Sequence, residues 1–121
     1  MNKSYSFTFI TRSAPYGSNR PNLCLDTALA ASVFEQQVNY IFTEDGVYQL
    51  LKNQDAGSIK SKTLGNILET LNLYGVENIY ICADAMEERN LSADDLVISA
   101  KLISNDDFKT ILSGSNTVFN L

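Results

Sequence analysis

Asn78-Ile79-Tyr80-Ile81-Cys82 runs without a break into Ala83-Asp84-Ala85-Met86-Glu87-Glu88-Arg89. The first part is a short apolar run of strand type, and the second has the composition of a helix. A strand that passes directly into a helix is the building unit of an open α/β sheet, and ligands bind outside the carboxyl ends of such strands. Cys82 therefore stands at the mouth of the sheet. The unpaired N–H groups of the following helix favour thiolate over thiol there. Asp84, Glu87 and Glu88 act in the opposite sense, because negative charge near a thiol raises its pKa. Arg89 offsets part of this if the helix brings it round. No other residue combines a nucleophile, a strand tip and a helix start.

The same alternation extends in both directions. Tyr5 to Ile10 alternates aromatic with small polar residues and predicts a first strand. Leu25, Ala28, Leu29 and Val33 recur at helical spacing within a helix over 23–34, and Val38 to Phe42 is a second strand. Asp45 to Leu51 reads as a turn into a short helix, and Lys52 to Ser61 as the longest loop. Leu64, Ile67, Leu68 and Leu71 mark a helix over 63–73 that stops at Tyr74-Gly75. Val76 to Ile81 is the third strand, closed by Cys82. Asn90 interrupts the next short helix, and Ser92-Ala93-Asp94-Asp95 caps a further turn. Leu96 to Leu102 is a fourth strand; Ser104-Asn105-Asp106-Asp107 is N-cap chemistry for a helix that Gly114 ends; Thr117 to Leu121 is a fifth strand. The expectation is one domain over 1–121: a three-layer α/β/α sandwich with a mostly parallel five-stranded sheet and flavodoxin-like wrapping.

Composition narrows the chemistry. The chain has 121 residues, 45% hydrophobic, and a net charge of −5. Direct nucleic-acid binding needs clustered Lys and Arg to neutralise phosphates, and no such cluster is found; Lys52, Lys60 and Lys62 read as a solvated face. There is no histidine, so Ser-His-Asp and Cys-His arrangements are excluded within the chain. Two cysteines far apart, Cys24 and Cys82, make neither a disulfide framework nor a zinc site, and no cofactor or metal is expected. Neither a phosphate loop nor a dinucleotide fingerprint occurs. No signal peptide and no apolar run of membrane length is seen, so the expected location is cytoplasmic.

Several segments are candidates for the rim around Cys82 and Ala83. Asp45, Gly46 and Tyr48 follow a strand; a turn glycine with its aromatic neighbour packed on the core is the alternative. Ser13, Tyr16, Gly17 and Ser18 form a third strand-following loop, with plain solvated loop as the alternative. Cys24, between Leu23 and Leu25, reads as a packing residue. For Cys82 itself the alternative is a buried structural thiol.

Taken in order, Ser13-Ala14-Pro15-Tyr16-Gly17, Thr27 to Ser32, Asp45 to Leu51, Leu73-Tyr74-Gly75 and Ile81-Cys82-Ala83 leading to Glu88-Arg89-Asn90-Leu91 resemble the DsrE/DsrF-like sulfur-relay family, in its TusC/DsrF branch. The resemblance runs nearly end to end. It implies a subunit of a cytoplasmic complex with TusB-like and TusD-like siblings, arranged as a dimer of heterotrimers. Such a complex passes persulfide sulfur between donor and acceptor proteins toward 2-thiolation of the tRNA wobble uridine. The related DsrEFH complex serves sulfur oxidation instead. The resemblance also implies that the essential persulfide-carrying cysteine belongs to the TusD/DsrE sibling at the equivalent strand end, and that this subunit is accessory. If Cys82 acts, its thiolate attacks a donor persulfide, which requires no metal and no histidine base. The competing readings are a purely architectural subunit and a small-molecule-binding flavodoxin-like domain.

Overall fold

The computed structural model describes residues 6–14, 17, 19–33, 37–50, 71, 73–76, 78–96 and 100–121. Five strands alternate with helices along the chain: β1 (Ser6–Thr11), α1 (Arg20–Ser32), β2 (Gln37–Phe42), a 3-10 helix (Glu44–Leu50), β3 (Asn78–Cys82), α2 (Ala83–Glu88), a short 3-10 turn (Ala93–Asp95), β4 (Lys101–Ile103), α3 (Asn105–Ser113) and β5 (Thr117–Asn120). The strands form one sheet in the order β4-β3-β2-β1-β5, with every pair parallel. The three-layer architecture expected from the sequence is therefore present. As in flavodoxin-type sheets, one strand lies on one side of β1 and three on the other; here the solitary position belongs to the last strand.

Side-chain alternation divides the sheet into two faces. Phe7, Phe9 and Thr11 point one way with Tyr40, Ile79, Ile81 and Phe119, their neighbours in register. That face carries the aromatic core: Phe9 stacks on Phe119 at 4.8 Å between ring centroids and on Tyr40 at 6.4 Å. α1 covers it, burying Pro21, Cys24, Leu25 and Ala28. Thr8, Ile10, Ile41 and Cys82 point the other way. There the Thr8 hydroxyl is hydrogen-bonded to that of Ser115, just beyond α3, and Asn39 donates to Thr8 at 3.2 Å. α1 and α3 thus lie on opposite faces.

The helix ends obey local rules. Ser104 accepts from the Asp107 amide at 3.1 Å and the Asp107 carboxylate accepts from the Ser104 amide, a full capping box starting α3. At the end of α2, Asn90 takes φ 56°, its amide donates to Glu87 at 3.1 Å, and Leu91 donates to Met86 at 3.0 Å. This 6→1 and 5→2 pair of bonds is a Schellman motif with asparagine in the left-handed position.

The expected loop over 52–61 and most of the helix over 63–73 lie outside the described residues. Its end is visible: Leu71 and Leu73 are helical, Gly75 has φ +88°, and Val76 donates to Leu71 at 2.9 Å. The fourth strand needs correction. The sequence predicts it over 96–102; residues 97–99 lie outside the described residues, Leu96 makes a bridge, Ala100 is not in a strand, and β4 is Lys101–Ile103. Leu96 is buried in the core, so its apolar character also serves packing.

Candidate functional site

Right-handed crossovers dictate where the sheet opens. The strand order runs from β1 through β2 and β3 to β4 in one direction, and α1, which joins β1 to β2, covers one face. The return from β4 to β5 carries α3 over the opposite face. The reversal falls between β3 and β4, and the carboxyl end of that strand pair is where open sheets form their crevice. Cys82 stands there, opposite Ile103 in register.

Cys82 is also the N-cap of α2, with extended backbone (φ −73°, ψ 122°) and no side-chain capping bond. Its sulfur is thus not spent on the helix. It is, however, only 8% exposed. Burial pushes the thiol pKa above its ordinary value; the Thr43 side chain, hydrogen-bonded to the thiol, pulls it down, and the Asp84 charge pushes it up again. Burial thus works against the lowering that a helix N-terminus would bring. α2 is six residues long, so the dipole it can bring to its N-cap is short. The acidic opposition read from the sequence comes through Asp84.

Arg89 does not turn toward the thiol. Its Nε and Nη2 donate to one carboxylate oxygen of Asp45 at 3.2 and 3.1 Å, and its Nη1 donates to the Ala85 carbonyl at 3.2 Å. The guanidinium carbon lies 6.0 Å from the centre of the Tyr48 ring. Arg89 thus ties Asp45 and Tyr48 to α2, while Ala83, next to Cys82 in the chain, is half-buried.

Gly46 is held by close approach and not by its φ. A Cβ there would sit inside van der Waals contact of the Thr11 carbonyl oxygen. The turn is closed by Thr43 donating to Thr11 at 3.2 Å and Gly46 donating to Thr43 at 2.9 Å. Glu44, between them, takes φ 52°, a conformation that costs a non-glycine residue about 1–2 kcal/mol. Replacing Glu44 by glycine is expected to raise stability by about 0.5–1 kcal/mol after the entropy of a more flexible unfolded chain is subtracted. Asn90→Gly, at a position that asparagine tolerates, should change it by less. Urea unfolding midpoints of the two variants check the contrast.

Tyr16 and Ser18 lie outside the described residues; Gly17 is exposed with φ +96°. The Ser13 carbonyl accepts from Gln49 Nε2 at 2.8 Å, and the same nitrogen donates to Thr11 at 2.8 Å. Cys24 is fully buried beside Tyr40 and Thr11, and burial raises its thiol to about 11. It is a packing residue, as its sequence position suggested. Thr43 and Gln49 escaped sequence reasoning. The only signal for Thr43 was its place one residue past the second strand, which a parallel register sets beside Cys82.

The profile of the DsrE/DsrF-like family matches residues 5–121. The chain belongs to the DsrE/DsrF-like family. Among its relatives is a protein TusC homolog of Vibrio parahaemolyticus, 38% identical over 84% of this chain and 86% of that one. Another is the intracellular sulfur oxidation protein DsrF of Allochromatium vinosum, 40% identical over 75% of this chain and 67% of that one. The crystal structure of the ychN protein from E. coli superposes with a TM-score of 0.83 at 19% identity, covering 97% of this chain and 99% of that one. The two chains share one fold. Among the described residues, no helix is long and apolar enough to cross a membrane.

Proposed function

We propose that this protein is a TusC-like subunit of a cytoplasmic sulfur-relay complex that passes persulfide sulfur toward 2-thiolation of the tRNA wobble uridine. Its partners are TusB-like and TusD-like siblings in a dimer of heterotrimers, with sulfur donor and acceptor proteins reached through the complex. The observation that carries the reading is the near full-length similarity to proteins named TusC homolog. The DsrF similarity covers less of both chains and favours the oxidative complex no better.

Within the relay the subunit is accessory. Sulfur transfer requires the Cys82 thiolate to attack the terminal sulfur of a donor persulfide. The donor S–S bond breaks, a new S–S bond forms on Cys82, and the donor leaves as a thiolate with no net oxidation. A buried thiol with a raised pKa supplies little thiolate at neutral pH, which makes Cys82 a slow acceptor. The acidic chain, at net charge −5, has no evident grip on tRNA and needs none when another protein carries the sulfur onward.

Cys82→Ser is expected to leave assembly with the siblings intact and to reduce 2-thiouridine in wobble-position tRNAs only partly. Replacing the sulfur-carrying cysteine of the TusD-like sibling should abolish it. Complete loss with Cys82→Ser in an assembled complex would make Cys82 an obligatory carrier, and recovery of the protein as a monomer that ignores both siblings would remove it from the relay.

A further inference from the structure

The contact that stands out beyond the thiol is the one Arg89 makes. Arg89 is the C-cap of α2, and Cys82 is its N-cap. A helix of six residues is about 9 Å long and moves as one piece. Whatever holds its far end also fixes the sulfur at its near end. Arg89 holds that end to the 3-10 helix with two nitrogens on Asp45, at 3.2 and 3.1 Å, and with the Tyr48 ring 6.0 Å from the guanidinium carbon; its third bond, to the Ala85 carbonyl, lies within α2 and fixes the side chain's direction. Asp45 belongs to the 3-10 helix that begins one residue after Thr43, the residue hydrogen-bonded to the thiol. The side chain of Asp45 is 59% exposed and that of Arg89 is 20% exposed, so the pair is open to solvent on one side. A second ion pair, to Glu88 at 3.4 Å, is a neighbour-to-neighbour surface contact that ties α2 to nothing else.

We propose that Arg89 and Asp45 form a latch that sets how accessible and how reactive Cys82 is, making Arg89 a positioning residue for sulfur transfer. This rests on the relay reading for its purpose, though not for its geometry. With the latch closed, the thiol is packed between the tips of β2 and β3 and guarded from adventitious oxidants. With it open, α2 lifts from the 3-10 helix and exposes the sulfur. The charged groups on the surrounding elements are Asp84, Glu87 and Glu88 on α2, Glu44 and Asp45 on the 3-10 helix, Lys101 on β4, and Asp106, Asp107 and Lys109 on α3. Of these, only Asp84 acts on the thiol's ionisation.

The test is the rate of iodoacetamide alkylation against pH in the full chain, read separately at Cys82 and Cys24 by peptide mass. Freeing the thiol from its packed position raises both its exposure and its thiolate fraction, so Arg89→Ala and Asp45→Ala should each accelerate Cys82 about three- to tenfold at neutral pH. The double variant should react no faster than either single one, the signature of two residues acting as a unit. Arg89→Lys keeps a charge without the two-point grip and should fall between. Glu88→Gln should match the unaltered protein, and Cys24 should stay slow throughout. An unchanged Cys82 rate, single effects that multiply, or a Cys24 rate rising in step with Cys82 would overturn the latch. If alkylation follows the expected pattern but no variant takes sulfur from a persulfide donor, the latch stands and the sulfur role of Cys82 falls.

Discussion

Replacing Phe9 by alanine is expected to destabilise the domain by about 3–5 kcal/mol, the largest effect of any single truncation considered. Phe9 is fully buried on β1, a central strand. Its ring stacks on Phe119 at 4.8 Å and 13° between planes, and on Tyr40 at 6.4 Å, with Phe7 at 6.5 Å. Alanine would remove the one ring common to these contacts and leave a void bounded by rigid strands on either side, which collapses poorly. Phe119, half-buried on the edge strand β5, would lose its stacking partner. Chemical denaturation should show a lower midpoint, and Phe9→Leu should recover more than half of the loss. A change below about 1 kcal/mol for Phe9→Ala would mean that the aromatic stack is not what holds β5 to the sheet.

Gly46→Ala should cost about 2–3 kcal/mol, because the added methyl collides with backbone and not with a side chain that can swing away. The nearest obstacle is the Thr11 carbonyl oxygen, with Thr11 C at 2.9 Å and Arg12 Cα at 3.2 Å. Relief requires the turn after β2 to lift off β1, which breaks the Thr43-to-Thr11 hydrogen bond and draws Thr43 away from Cys82. Gly114 is the natural control. A Cβ there meets nothing closer than 3.6 Å, and Gly114→Ala should be nearly silent. Unfolding curves for both variants, with amide exchange at Thr43 and Gly46, separate a local clash from a general intolerance of substitution. Equal costs for the two glycines would contradict the close-approach account.

Much of this was readable in the sequence wherever the cause is local. Ser104 to Asp107 announces a helix start because a capping box uses only neighbouring residues, and Tyr74-Gly75 and Asn90 announce stops for the same reason. The strand into Cys82 was legible because its apolar run and the helix behind it adjoin. The fourth strand shifted at its edges among the described residues, with Ala100 outside it and Ile103 inside, because a short apolar run does not fix where pairing starts. Strand order was not legible at all, because no local pattern encodes that β5 returns to β1. The same limit applies to the site. That Cys82 sits at a strand tip is a local fact. Its burial depends on Thr43 and on the pairing of β2 with β3. Arg89 was visible as the end of a helix, yet its partner Asp45 is 44 residues away and became evident only in three dimensions.

The position of β1 between β2 and β5 has a consequence for how the molecule comes into being. Ser6 and Asn116 are joined across 110 residues, and β5 pairs in register with Phe7 to Ile10. During synthesis, β1 to β4 therefore leave the ribosome and can assemble while the far edge of β1 still lacks its neighbour. Throughout that interval the nascent chain presents a bare row of amide and carbonyl groups beside Phe7 and Phe9, a template for pairing with another unfinished chain. Closing a loop of this length is the slowest entropic step available to the topology. Aggregation during expression should accordingly be governed by how quickly residues 117–120 emerge and pair with β1.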